Sequence, residues 1–364
     1  MSTQSTAENT ERAWIDIDLG ALLRNGAALA RHAQVPLLPM VKADGYGVGA
    51  VEVVRTLEKL DPFGFGVATV DEGRALRAAG VRRPVLVFTP LLSDDFRSAR
   101  EAHLTPALGE ARSIAAWAEG GGGSWHLAID TGMSRAGVRW DAVGGVADAV
   151  RRLPPDGAFT HFHSAERDDG SMALQERRFA DALSALPAPP RLLHADNSAA
   201  IVRRPSRQRS PWSLVRPGVF LYGVGSGVRA VVQPEAVVRL GARVVDLRDV
   251  GPGESVSYDA TWNAPRPARV ATLAAGYADG YPRSLGNRGT VLLHGQRARV
   301  VGTVTMDMTM LDVTGLPCAI GDVATLIGTD GGESVTVEDA AAACALSPYE
   351  VLTGLRQRLP RRYA

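Results

Sequence analysis

Lysine is almost absent from this chain. Of its 40 basic side chains only Lys42 and Lys59 are lysines, and the rest are arginines. Codon bias accounts for the preponderance of arginine but not for the two exceptions. A lysine amine can lose its proton and condense with a carbonyl to give a Schiff base, which a guanidinium cannot do. Lys59 falls in VRTLEKLDP, at the end of a predicted helix, where a cation is simply welcome. Lys42 ends the apolar run PLLPMVKA ahead of the turn DGYG, where a reactive amine would be held. Other polar residues also end apolar runs: Asp130, with Arg135 beyond it, in IDTGMSRAG; His161 and His163 in THFHSAE; and His194, Asn197 and Ser198 in HADNSAA. Arg216 lies in such a run itself, followed by Pro217 and Gly218. Each alone fits a hydrogen-bonded strand-end histidine or a solvated arginine. Their joint recurrence at strand ends suggests one site.

The elements that would position them follow from the pattern. Strand-length apolar runs at 36–43, 63–69, 84–88, 104–108, 125–130, 157–162, 191–195 and 213–222 alternate with helical stretches. Eight strands with intervening helices over 13–235 predict an α/β chain whose first domain is a (β/α)8 TIM-type barrel. A doubly wound sheet is disfavoured because no GxGxxG follows the first strand. A barrel places its chemistry at the C-terminal ends of the strands, where these residues fall, and often binds phosphate after strands seven and eight. Ser198 and the backbone of Gly218 and Val219 occupy those loops. From 236 to 364 the sequence changes to β-rich runs broken by Gly, Pro and Asp, ending in two predicted helices, which reads as a separate, mostly β domain. Residues 1–12 read as a disordered tail. The Gly120–Gly123 run reads as a connection into strand five, with no helix behind it to make a phosphate loop.

Composition narrows the function. A net charge of +1 gives no basic excess for binding nucleic acid or anionic lipid. No apolar run is long enough to span a membrane, the polar start lacks a signal peptide's features, and two cysteines, Cys318 and Cys344, cannot build a disulfide framework. A soluble cytoplasmic protein with no metal is the expectation. A Schiff-base lysine beside a phosphate cradle suits pyridoxal 5′-phosphate (PLP), and equally a class I-type aldolase.

The ordered set VKADGYG, IDTGMSRAG, THF, HADNSAA, VRPGVFLYG, GYADGYPR and VGTVTMDM, with the opening WIDIDLGALLRN, resembles the PLP-dependent alanine racemase family. The resemblance runs from about residue 13 to the C-terminus. It implies a PLP fold type III protein in which Lys42 carries PLP and is one proton-transfer base. Tyr277 of a partner chain in a head-to-tail homodimer is the other base. Tyr46, Ser198, Tyr349 and the Gly218–Val219 backbone would hold the phosphate. Arg216 would face the pyridine nitrogen with His161 behind it, and Arg135 and the Met306 backbone would bind the substrate carboxylate. The implied role is supply of D-alanine for peptidoglycan. Racemisation removes a proton from one face of Cα and returns one to the other, so one base per face is the direct solution, provided each pKa falls toward neutrality.

Two positions depart from the family pattern. Ala128 stands where many members have a carbamylated lysine that orients the arginine, and Val48 stands where a histidine is common. Serine or another small amino acid is the nearest alternative substrate. A PLP-carrying barrel without turnover would lack the second domain, and a fold type III decarboxylase would use other second-domain motifs.

Overall fold

The computed structural model describes residues 11–187, 190–205, 209–227 and 230–364, so the tail expected at 1–12 lies, but for its last two residues, outside the described residues. The chain forms two compact units. One is Gly20–Glu235; the other joins the segment up to Leu19 to Ala236–Ala364.

In the first unit six parallel strands follow one another around a sheet: Phe65–Val67, Val85–Val87, Thr105–Leu108, His126–Asp130, Gly157–Phe159 and Leu192–His194. They are buried almost throughout, as strands covered by helices outside and side chains inside must be. Two more staves close the ring. Leu37 bridges Val215, Met40 bridges Gly66 and Asn197 bridges Arg216, all in parallel sense. These staves make bridges rather than ladders because Pro36, Pro39 and Pro217 have no N–H to donate. Leu38 and Met40 donate instead to the carbonyls of Val215 and Pro217, and Val41 to that of Gly66. The run expected to be strand over 213–222 therefore leaves the sheet after Arg216 and becomes a 3-10 turn at Val219–Tyr222. The surrounding helices are built conventionally. Val70–Ala78 starts at a capping box between Thr69 and Glu72 and turns Val70, Gly73 and Leu76 inward.

The second unit is organised on the strand Val238–Val250, which pairs antiparallel with Ala13–Ile17, Ala268–Leu273 and Val323–Asp330. Arg361–Tyr363 lies parallel to Ala13–Ile17. The barrel expected from residue 13 therefore begins only at Gly20. In sequence, AWIDI is marked only by the family resemblance, which does not say which sheet it joins. Trp14 lies opposite Gly241, and its indole ring comes within 3.0 Å of where a Cβ on that glycine would sit. Any larger residue there would push the indole aside.

Candidate active site

Lys42 follows the first stave and opens a tight turn in which Ala43, Asp44, Gly45 and Tyr46 all have positive φ, between 52° and 62°. A left-handed turn crowds each Cβ against its carbonyl and forms only when its surroundings impose it. Here a Glu72 carboxylate oxygen accepts from the Ala43 N–H at 2.7 Å, and Asp44 accepts from the Ala50 N–H at 2.9 Å. The turn buries Tyr46, whose ring stacks on Tyr222 at 4.6 Å. Lys42 is half-buried. Burial first, then the charge of Arg135, holds its amine below the ordinary lysine range, with Glu72 opposing. Both larger effects favour the neutral, nucleophilic amine.

Arg216 is 3% exposed. Its Nη1 donates to His194 O at 2.7 Å and His194 Nδ1 at 2.8 Å, and its Nη2 to Thr160 O at 2.7 Å and Ala195 O at 3.0 Å, with His161 Nδ1 at 3.3 Å. The aromatic faces of Phe159 and Phe88 lie 5.4 and 5.8 Å from its Cζ. Nε has no partner among the described residues, leaving one directed donor. Burial pushes the guanidinium down to about 9, still a cation at neutral pH. Because arginine only donates, His194 Nδ1 must accept. Its Nε2 then carries the proton and donates to His126 Nδ1 at 2.7 Å. Both rings are thereby kept neutral. Burial is the main cause holding His126 down at about 4 and His194 well below its ordinary value. His161 falls to about 3 through burial and then the charges of Arg216, Arg135 and Lys42, which places three cations around one imidazole.

Beside them, Ser198 Oγ accepts from the Gly218 N–H at 2.8 Å. A Cβ on Gly218 would meet the Tyr46 hydroxyl at 2.6 Å, so glycine there lets the phenol in. Ser198, Gly218 and the Tyr46 hydroxyl are thus drawn together at the end of the last stave. Arg135 is exposed beyond a loop tied by one Asp130 oxygen, which accepts from the N–H groups of Gly132, Met133 and Ser134 at 2.9, 2.9 and 3.0 Å. Ala128 packs with Ala107 and Phe159 against Phe88, an apolar patch. Sequence reasoning missed several supports. They are His126, Glu72, Tyr222 and the buried Gln175, whose amide nitrogen donates to Thr131 Oγ1 and His161 O. Each lies inside a helix or strand pattern that gave no sign of polar work.

Tyr277 and Met306 stand in the other unit and are brought together there. Tyr277 N–H donates to Thr305 O, and Ala278 N–H to Met306 O, both at 3.0 Å. A Cβ on Gly276 would come within 2.2 Å of the Thr305 carbonyl, so the two loops meet on bare backbone. Arg358 clasps them: its Nε and Nη2 grip both oxygens of the fully buried Asp279 at 2.8 and 2.9 Å, and Nη2 reaches Asp307 at 2.8 Å. Tyr277 and Met306 are 39% and 52% exposed. Tyr349, in the first turn of the helix Pro348–Gly354, is 48% exposed. Burial, the hydrogen-bonded loops and Arg358 hold this patch without covering it.

A parallel barrel whose rim joins a lysine held toward neutrality, a buried arginine with one donor to spare and a hydroxyl-lined cradle defines a barrel protein built for a carbonyl-bearing, phosphorylated cofactor. Residues 17–226 match the family model "Alanine racemase, N-terminal domain", and residues 237–363 match "Alanine racemase, C-terminal domain". The chain is 39% identical over 359 residues to the alanine racemase of Deinococcus radiodurans, covering 96% of this chain and 99% of that one. It superposes on the crystal structure of alanine racemase from E. faecalis with a TM-score of 0.91 at 30% identity, covering 97% and 98% of the two chains. It also superposes on the Bartonella henselae alanine racemase, solved with covalently bound pyridoxal phosphate, with a TM-score of 0.88 at 27% identity, covering 97% and 100%. The chain belongs to the alanine racemase family, and as a member it is an isomerase.

Proposed function

We propose that this chain interconverts L-alanine and D-alanine with PLP as cofactor, using Lys42 and Tyr277 as bases on opposite faces of the substrate. The observation that carries the cofactor reading is Arg216, whose other donors are all engaged while Nε remains for a pyridine nitrogen. When bound, PLP supplies an electron sink that makes the Cα proton of an amino acid labile. Lys42 attaches the cofactor and, with its pKa lowered, takes or returns a proton at Cα on its face. The Tyr277 hydroxyl does the same on the other face. Ser198, Tyr46, the Gly218 and Val219 backbone and Tyr349 hold the phosphate, and His161 backs Arg216. Arg135 and the Met306 backbone hold the substrate carboxylate. An arginine at the pyridine nitrogen donates without giving up its proton, which moderates the sink and disfavours transamination.

The same reading assigns Tyr277 to the barrel mouth of a second chain in a head-to-tail homodimer. Supporting it, Tyr277, Met306 and Met308 form one exposed patch on the β unit. The product would serve cell-wall synthesis in the cytoplasm. Among the described residues no helix is long and apolar enough to cross a membrane.

The test is a chiral assay of PLP-loaded protein on a panel of L-amino acids including alanine and serine, followed by borohydride reduction and peptide mapping. Alanine should racemise fastest, and the cofactor should be fixed on Lys42. A cofactor found on Lys59, or serine turned over faster than alanine, would replace this reading.

A further inference from the structure

At the opposite, N-terminal end of the barrel strands lies a cavity of about 440 Å³ that no step above uses. It opens where the chain enters three neighbouring strands, beside Pro84, Leu104 and Ser124. Arg77, Arg82, Arg100 and His103 line it, together with the Gly120–Ser124 loop, and no carboxylate does. That is unusual in a chain with 40 basic and 39 acidic residues, whose surface arginines are widely paired with Asp or Glu.

Two of these side chains are held in place. Arg77 is spent on structure, donating to the carbonyls of Val81, Arg83, Ala102 and His103 at 2.7 to 3.1 Å, so its charge is fixed in the wall. Arg100 lies with its Cζ 5.3 Å from the Trp117 ring centroid. A Cβ on Gly120 would fall 2.2 Å from that Cζ, so glycine there is what admits the guanidinium. Trp117 in turn donates from Nε1 to Gly123 O at 3.1 Å, which ties the loop to the same wall. Arg100 lines the cavity with the remainder of its side chain, while its Nη1 is covered by protein and has no hydrogen-bond partner among the described residues. Burial and the charge of Arg82 also depress Arg77, as expected where positive charge is gathered without a counter-charge.

We propose that this cavity is a second ligand site, for a small phosphorylated metabolite whose phosphate accepts from Arg100 and Arg82. A phosphate offers planar guanidinium groups several oxygens at once and neutralises more than one cation, which a single carboxylate does less well. The volume suits a small molecule rather than a polymer. The inference is independent of the assignment of the catalytic rim.

The test uses holoenzyme saturated with PLP, so that the phosphate cradle at Ser198 is filled. Inorganic phosphate, pyrophosphate and acetate are titrated calorimetrically at constant ionic strength into the parent protein and into Arg82→Gln and Arg100→Met. The Met variant keeps an unbranched apolar stem over Trp117. One saturable phosphate or pyrophosphate site per chain is expected, weakened about tenfold or more in each variant, with PLP content and racemase activity unchanged. No saturable binding, binding equal in parent and both variants, or acetate binding tighter than either phosphate would overturn it. Arg82 is exposed, so its variant decides the matter even if Arg100→Met folds poorly.

Discussion

At the scale of the residue, the barrel interior is governed by one permanently donating side chain. Arg216 sets the tautomer of His194, and His194 sets that of His126, so a cation at the rim fixes neutral imidazoles well inside the barrel. This gives the protein an acid-sensitive core. The unfolded chain binds a proton on each histidine near pH 6.5, whereas folded His126 resists until about 4 and His161 until about 3. Between those values the unfolded state binds more protons, so stability is full above pH 6.5, falls as pH drops through the window and levels off beneath the folded values. For His126 alone the loss is on the order of 3 kcal/mol. Urea midpoints measured from pH 7 to 4 should show it, and His126→Gln should flatten the slope whatever its stability at pH 7. Parallel slopes in parent and variant would show that His126 does not stay neutral. Lys42, Arg216 and Ser198 were legible in the sequence because lysine is rare and strand-end polar residues are conspicuous. His126 and Gln175 were not, because a polar residue facing the interior of a strand or helix looks the same in sequence whether it works or merely packs. Arg358 was out of reach because its partners, Asp279 and Asp307, lie far from it in the chain.

At the scale of the element, the run of left-handed residues after Lys42 is the costly piece of backbone. An L-residue in that region costs about 1–2 kcal/mol, and a glycine escapes the penalty but gives up some order. Ala43→Gly should therefore stabilise the fold by about 0.5–1 kcal/mol, read as a higher melting temperature, while lowering kcat because Lys42 is aimed less firmly. A variant less stable than the parent would mean that the freedom glycine adds to the unfolded chain outweighs the relief of the backbone angle at this position. The sequence showed a tight turn in DGYG but not its hand, since only one glycine lies among the four residues that need it. The strands from 63 to 195 were legible from apolar runs alone. The first and last staves were overread as full strands because proline was not discounted, and 13–17 was counted with the barrel because its strand partners lie more than two hundred residues away in the chain.

At the scale of the whole molecule, the proposed division of bases between two chains makes a quantitative forecast. Lys42→Ala and Tyr277→Phe proteins should each be nearly inactive, since each lacks one base at both sites. After random exchange of equal amounts, about half the dimers are mixed and each has one intact site, giving roughly a quarter of parental activity. Verified mixed dimers with no recovery would place both bases on one chain. A different consequence follows from the strand Ala13–Ile17, flanked by Val238–Val250 and Arg361–Tyr363. On the ribosome this apolar segment emerges ahead of both neighbours, and the second of them appears roughly twenty seconds to a minute later. Once Glu235 has been made, late in that interval, the barrel between them has all its own residues and can fold, while the Ala13–Ile17 strand keeps at least one edge bare and open to mispairing until Arg361–Tyr363 arrives. The newborn chain therefore carries a built-in clock: a strand made before the barrel is fully sheltered only after it, and that delay is when it most needs a chaperone.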